Sequence, residues 1–357
     1  MSDFFPLCLR SIVPGSNPGF DLYVKRGKDP KVCGKAVHHP SKNTEKIVLF
    51  RAKEKPFTRE MAVDLAKDGC EVLYVPRTQQ NLVEEYLQQN LSSVAQDKSL
   101  PLQHRTEVVY ATTTAIMQSV FDEPRASEAL RKSQQVIAPI VSLILEEEEA
   151  ARSLISLTSH DYYTYTHSVN VCLFAIALTE EIFQGVEREN LERLGSAFLL
   201  HDIGKRNIPN EILNKNGPLN DDEWEIMRRH PQLGCEILEE NGYLTDEAEI
   251  VVLQHHERFD GSGYPNRLNG DDIHIYSKIC CMADVFDALT TKRSYRNPLT
   301  SFEALQVMKN EMTGNFEYAF FVAFASLFKS VSPSDPQLER EISVSGEAHK
   351  LLPQELE

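Results

Sequence analysis

Apolar and polar residues alternate in two different rhythms along this chain. In the first hundred residues the runs are short: Ile47–Ala52 (IVLFRA) and Glu71–Val75 (EVLYV) each read as a strand. Thr58 is placed to cap a helix running through Lys67 and ending at Gly69, and Thr78 to cap another reaching about Asn90. Residues 14–34 are rich in Gly and Pro and read as loops. From about His104 to Ser156 the helical period takes over, with interruptions near Pro124 and Pro139. It continues from Asp161 to Lys329, broken by a Gly/Pro/Asn-rich stretch at Arg258–Asn269.

These patterns predict a mainly α protein, with an all-helical domain preceded by a small α+β module. The polar segment Ser92–Leu102, with Pro101, is the expected boundary. The expected layout is an N-terminal α+β module at 1–98, a helical connector at 99–152, an all-helical domain at 153–331 and a loosely ordered tail at 332–357. The acidic run Glu146–Glu149 reads as a solvated helix face, and no internal repeat stands out.

Composition narrows the function classes. With 37 Lys and Arg against 53 Asp and Glu, the formal net charge is −16. That field opposes binding of nucleic-acid polymers and anionic membranes, so an anionic substrate needs metals and local basic residues to reverse it. No apolar run approaches the roughly 18 residues needed to span a bilayer, and the first residues lack the basic and apolar regions of a secretory signal. The seven cysteines (Cys8, Cys33, Cys70, Cys172, Cys235, Cys280, Cys281) form no C-x-x-C pair. They suit a reducing cytoplasm, with Cys172, Cys235 and Cys280 as small core residues.

The informative chemistry lies where polar residues break apolar helical patterns. On a helix over 162–178, His167 shares one face with Asn170, Val171, Phe174 and Leu178. In SAFLLHDIGK an apolar helix runs straight into His201 and Asp202, with Gly204 as an expected C-cap. His230 lies in EIMRRHPQLGCEIL, His255 and His256 end the apolar run IVVLQHH, and Asp284 lies in SKICCMADVFDALT. Burying one such group is costly unless something pairs with it. Five histidines and two aspartates treated alike point to one shared partner, a metal. Seven N and O ligands with no thiolate exceed the needs of one tetrahedral zinc. They suit two divalent ions about 3.5–4 Å apart, bridged by a carboxylate and a hydroxide. The ligand types favour Fe, Mn, Ni or Zn over Ca or Mg, and the chemistry such a pair supports is phosphodiester hydrolysis.

The order H…HD…H…HH…D, followed by HHERFDGSGYP at 255–265, resembles the HD-GYP family of the HD phosphohydrolase superfamily across roughly residues 155–300. The resemblance implies a cyclic di-GMP phosphodiesterase yielding the linear dinucleotide and, in some members, GMP. Carried over, His167, His201, Asp202, His230, His255, His256 and Asp284 are the metal ligands, Asp202 being the bridging one. Lys205 matches the lysine of HD-x-x-K, placed to contact a phosphate oxygen or assist proton transfer. Gly263, Tyr264 and Pro265 match the motif that names the family, with Tyr264 set to flank a guanine. Arg293 and Arg296 match residues that clamp the substrate phosphates. Iron is the first expectation, with Mn, Ni and Zn as alternatives. Some members carry a Glu four residues before the first His and bind a third metal; here that position is Tyr163, so two ions are expected. Residues 313–328 match the family's G-x-x-F-D-P continuation only loosely, with Glu317 and Tyr318 in place of Asp-Pro.

Family members usually sit behind a sensor or receiver, which implies a regulatory role and a signalling partner. The connector helices are compatible with a homodimer or with packing inside one chain. Two other readings compete: an HD phosphohydrolase acting on another nucleotide, and a non-catalytic or very slow cyclic di-GMP receptor signalling through the N-terminal module. The GYP loop with Arg293 and Arg296 argues against the first, and the complete ligand set against the second.

Overall fold

The computed structural model describes residues 3–26, 46–70, 72–122, 126–147, 149–158, 164–215, 217–292, 297–312 and 314–328. The chain divides into two compact units, Met1–Ala115 and Ile116–Glu357, each taken by itself below.

The first unit is a four-stranded antiparallel sheet with helices. Its strands are β1 (Phe4–Cys8), β2 (Leu22–Arg26), β3 (Lys46–Arg51) and β4 (Val72–Pro76), in the order β1-β4-β2-β3. Phe5 pairs with Val75 and Val24 with Val48, while β2 and β4 meet at Tyr23 and Tyr74. Strands β3 and β4 lie where the apolar runs predict. Strand β2 falls inside the stretch expected to be loops, because its LYVKR pattern is short and hemmed in by Gly and Pro. Helix α1 (Arg59–Lys67) starts at Thr58, whose hydroxyl accepts from the Met61 N–H. Thr78 caps nothing: a 3-10 turn at Arg77–Gln79 leads into α2 (Gln80–Gln96), which runs past Asn90. Phe20, Leu22, Phe57, Leu65 and Leu73 are fully buried at the centre of this unit.

The segment expected as a boundary contains the end of α2 and a break of a few residues before α3 (Leu102–Asp122), and the division between units falls inside α3. Then follow α4 (Ala126–Gln135), α5 (Ile137–Glu146) and α6 (Ala150–Ser156). Pro139 sits in the first turn of α5, where its missing N–H costs little. The acidic run is a corner rather than a helix face: Glu146 ends α5, Glu147 is extended and Glu149 precedes α6.

The second unit continues with α7 (Thr164–Phe183), α8 (Arg188–Leu200), a 3-10 segment at Ile203–Asn207, α9 (Asn210–Leu213), α10 (Asp221–Met227), α11 (His230–Glu240) and α12 (Asp246–Gln254). It ends with α13 (Ile275–Thr290), α14 (Ser301–Glu311) and α15 (Tyr318–Ser326). The protein is mainly helical, as its periodicity predicts. Helix α7 is buried on nearly every side and packs against both α8 and α13, while α12 packs against α8, α11 and α13. Phe174 and Phe286 meet edge-on at 5.1 Å, with Phe324 and Phe328 completing an aromatic cluster between α7, α13 and α15. Cys172 and Cys280 are buried, but Cys235 is only half-buried, on the outer side of α11. The expected tail at 332–357 lies outside the described residues.

Candidate metal centre

Each of the seven candidate ligands sits at the end of an apolar helix or inside one. His167 is on α7, and His201 and Asp202 follow α8 directly. His230 opens α11, His255 ends α12 with His256 next to it, and Asp284 is on α13. The packing of these helices closes the seven side chains into one cluster. His167, His201, Asp202, His230 and His255 are essentially inaccessible, and Asp284 is nearly so.

The distances divide the cluster in two around one carboxylate. His167, His201 and Asp202 form one group whose donor atoms all lie within 4.8 Å of one another; Asp202, His230, His255 and His256 form the other. Asp202 belongs to both. Its Oδ2 is 3.4 Å from His167 Nε2 and 3.5 Å from His201 Nε2, and its Oδ1 is 3.3 Å from His230 Nε2 and 3.7 Å from His255 Nε2. Asp284 lies on the rim, with one oxygen 3.2 Å from His167 Nε2 and the other 3.6 Å from His256 Nδ1.

The imidazole hydrogen bonds show what the cluster is built to hold. His201, His230 and His255 each place Nδ1 on a backbone carbonyl: Phe198 at 2.8 Å, Met227 at 2.9 Å and Val252 at 2.9 Å. A carbonyl only accepts, so Nδ1 carries the proton and Nε2 presents a lone pair. His167 Nδ1 is likewise 2.7 Å from Asp287 Oδ2. The Nε2 atoms of His230 and His255 then face each other at 3.2 Å, lone pair against lone pair. His201 Nε2 and Asp202 Oδ1 are buried with no hydrogen-bond partner among the described residues. Converging lone pairs and a buried carboxylate are costly by themselves and favourable around a cation. The donor set therefore fits divalent metal.

Electrostatics agree. Burial, with the neighbouring Lys205 and His255, drives the His230 pKa down to about 3, and burial also depresses His201 and His256, so these rings stay neutral. Burial also opposes charge on His167, but its bonds to Asp202, Asp284 and Asp287 outweigh it and hold its pKa well above the ordinary value. Positive charge is wanted at that point. Burial would raise the carboxyls of Asp202 and Asp284, yet Lys205 beside Asp202 and the hydrogen bond from His167 to Asp284 hold both well below the usual carboxylate range.

Lys205 lies one turn beyond Asp202 and places Nζ 2.5 Å from Asp202 Oδ2. Gly204 is not a helix C-cap. It sits inside the 3-10 segment without a positive φ, and a Cβ there would overlap the His230 carbonyl and the Gly234 amide. Glycine at this position lets the His201-Asp202 segment lie directly on the start of α11.

The loop over 257–268 covers one side of the cluster. Tyr264 stacks on the His256 ring at 4.7 Å with 28° between the planes, and its N–H donates to the His256 carbonyl at 3.2 Å. The Tyr264–Pro265 peptide is cis. A Cβ on Gly263 would overlap backbone atoms of His256, Glu257 and Arg258, so only glycine allows the chain to fold back this closely. Arg293, Arg296 and Tyr163 lie outside the described residues.

Two carboxylates escaped the sequence reading. Asp287, fully buried on α13, takes His167 Nδ1 at 2.7 Å and the Asn170 amide at 2.7 Å, so it orients the first ligand from behind. Its spacing of three from Asp284 puts both on one helix face, which was the available signal. Buried Glu257 accepts from the N–H groups of Asn266 at 2.6 Å and Leu268 at 2.9 Å, tying down both ends of the loop.

Residues 149–318 match the family model described as HD domain. The chain is 36% identical over 212 residues to a cyclic di-GMP phosphodiesterase of Pseudomonas aeruginosa, covering 59% of this chain and 50% of that protein. It is 36% identical over 183 residues to 3'3'-cGAMP-specific phosphodiesterase 2 of Vibrio cholerae, covering 50% and 35%. The chain thus spans half or less of the length of these relatives. Among solved structures, Bd1817, an HDG"Y"P protein from Bdellovibrio bacteriovorus, matches 92% of this chain and 100% of its own at a TM-score of 0.65 with 18% identity. That likeness concerns the fold.

Proposed function

Residues 149–318 are an HD domain, and from that premise we propose that the chain is a metal-dependent phosphodiesterase opening cyclic di-GMP to the linear dinucleotide, with GMP as a further product to be tested. The observation that carries the proposal is the convergence of five histidines and two aspartates around the shared Asp202 carboxylate. The curated relatives, named as cyclic di-GMP and 3'3'-cGAMP phosphodiesterases, supply the substrate class.

Two divalent ions, one in each donor group, are the reading the shared Asp202 supports, with iron first and Mn, Ni or Zn as alternatives. Such ions supply an acidified water and neutralise phosphodiester charge. The chain's own residues do the rest. Asp287 and the three backbone carbonyls fix the tautomers of His167, His201, His230 and His255 so that Nε2 faces inward. Lys205, held on the shared Asp202, is read as stabilising negative charge added at the phosphate. Tyr264, stacked on His256, is read as flanking a guanine at the edge of the cluster, while Glu257 and Gly263 hold that loop in place. Arg293 and Arg296 remain proposed phosphate clamps. The five free thiols among the described residues fit a reducing, cytoplasmic setting.

A second cyclic dinucleotide, 3'3'-cGAMP, is the alternative favoured by one relative's name. Both are tested at once. Protein purified anaerobically is assayed for metal content and incubated with each dinucleotide, wild type beside Asp202→Ala. The expected result is two equivalents of metal, conversion of cyclic di-GMP, and no conversion by the variant. Metal near zero sinks the centre; unchanged turnover by the variant sinks the assigned role of Asp202.

A further inference from the structure

Helix α10 is strongly acidic at its start (Asp221, Asp222, Glu223) and is held by a capping box at Asn220. At its middle stands Trp224, the only tryptophan of the chain, and Arg228 follows one helical turn later as the residue that ends the helix. Trp224 is 41% exposed, which is unusual for the largest apolar side chain in a folded domain. The Arg228 guanidinium lies over the Trp224 ring, 5.6 Å from its centroid. It also lies over Tyr264, 5.9 Å from that centroid, and Tyr264 is itself stacked on His256. A continuous stack therefore runs from a metal ligand outward: His256, Tyr264, Arg228, Trp224.

We propose that Arg228, braced by Trp224 and Tyr264, is a specificity-determining residue that reads a guanine base beside the metal centre. The inference rests on the cyclic dinucleotide reading above and goes further, to the base and the group that recognises it. Two aromatic rings lie beside the guanidinium, which reduces the conformational freedom it loses when a ligand arrives. Its N–H donors lie in the guanidinium plane, and the side chain is exposed. A planar two-donor fork matches the O6 and N7 acceptors on the outer edge of guanine. Adenine presents N7 beside an amino donor on the same edge and meets the fork with donor against donor. No ion pair diverts the guanidinium among the described residues, despite the acidic helix beneath it.

The test uses full-length, metal-loaded protein and has two arms. In the first, binding of GMP and of AMP is measured by calorimetry for wild type, Arg228→Gln and Trp224→Ala. Wild type is expected to prefer GMP about tenfold or more, Arg228→Gln to lose that preference, and Trp224→Ala to reduce it. Metal content is measured in parallel and should match wild type in both variants. In the second arm, kcat/KM for cyclic di-GMP in Arg228→Gln should fall by about tenfold to a hundredfold, mostly through KM. Equal affinity of wild type for GMP and AMP overturns the inference, as does an Arg228→Gln protein that still prefers GMP. Failure of wild type to hydrolyse cyclic di-GMP while preferring GMP would count against the phosphodiesterase reading and leave Arg228 as the guanine reader.

Discussion

Both units of this protein bury polar side chains, but the two sets of groups end differently. In the N-terminal unit Arg51 is almost fully buried, and its two terminal nitrogens find the Phe20 carbonyl at 3.1 Å and Asn17 Oδ1 at 2.7 Å. Tyr86 reaches across the same unit to the Ser16 hydroxyl and the Val13 N–H. Those bonds pair each group with its own neighbour, leaving Arg51 Nε without one among the described residues, and nothing in the set converges on a shared point. In the helical unit the backs of four imidazoles are satisfied, by Asp287, Phe198, Met227 and Val252, while their fronts converge on one another. Polar burial that closes on itself stabilises a fold. Polar burial that converges on a point needs a ligand, and that difference marks where the chemistry is.

The sharpest way to break the comparison is Asp202→Ala, which removes the one carboxylate common to both donor groups. Bound metal, measured by mass spectrometry, should fall from two equivalents to below one, with turnover lost. Phe20→Ala is the counterpart in the first unit. It should cost that unit about 3–5 kcal/mol, read by denaturant titration, and leave metal content at the wild-type value. Gly204→Ala is expected to cost about 3 kcal/mol, because the added methyl meets fixed backbone rather than a side chain that can turn away. Its thermal midpoint should drop and its metal content with it. Asp287→Asn keeps the size of the side chain but weakens its hold on His167. Metal affinity measured against a competing chelator should fall about tenfold to a hundredfold. The smallest effect belongs to Thr58→Ala, where losing the cap on α1 should cost about 1 kcal/mol and leave the metal centre untouched.

Local signals made part of this legible beforehand. Thr58 and Lys67 bound α1 because capping and helix-end preferences act within a turn, and β3 and β4 are apolar runs too short to be anything else. Strand β2 was hidden because its five residues sit in a Gly/Pro-rich setting and become a strand only by pairing with β3 and β4. The seven ligands were legible because each interrupts an apolar helix, a cost visible in one dimension. Glu257 and Asp287 were not, since a carboxylate beside a recognised ligand looks like any other until its partner is known.

What the sequence determined by itself was the inventory: which helices carry a polar residue on an apolar face, and that those residues are histidines and aspartates. Tertiary structure decided everything that depends on which helix lies against which. It made Asp202 common to both groups, turned Asp287 towards His167, required Gly204 against the His230 carbonyl, and set Arg228 between Trp224 and Tyr264. The reason is range. Periodicity and capping are set by neighbours within a few residues, whereas a ligand shared between helices depends on side chains brought together from positions far apart in the chain.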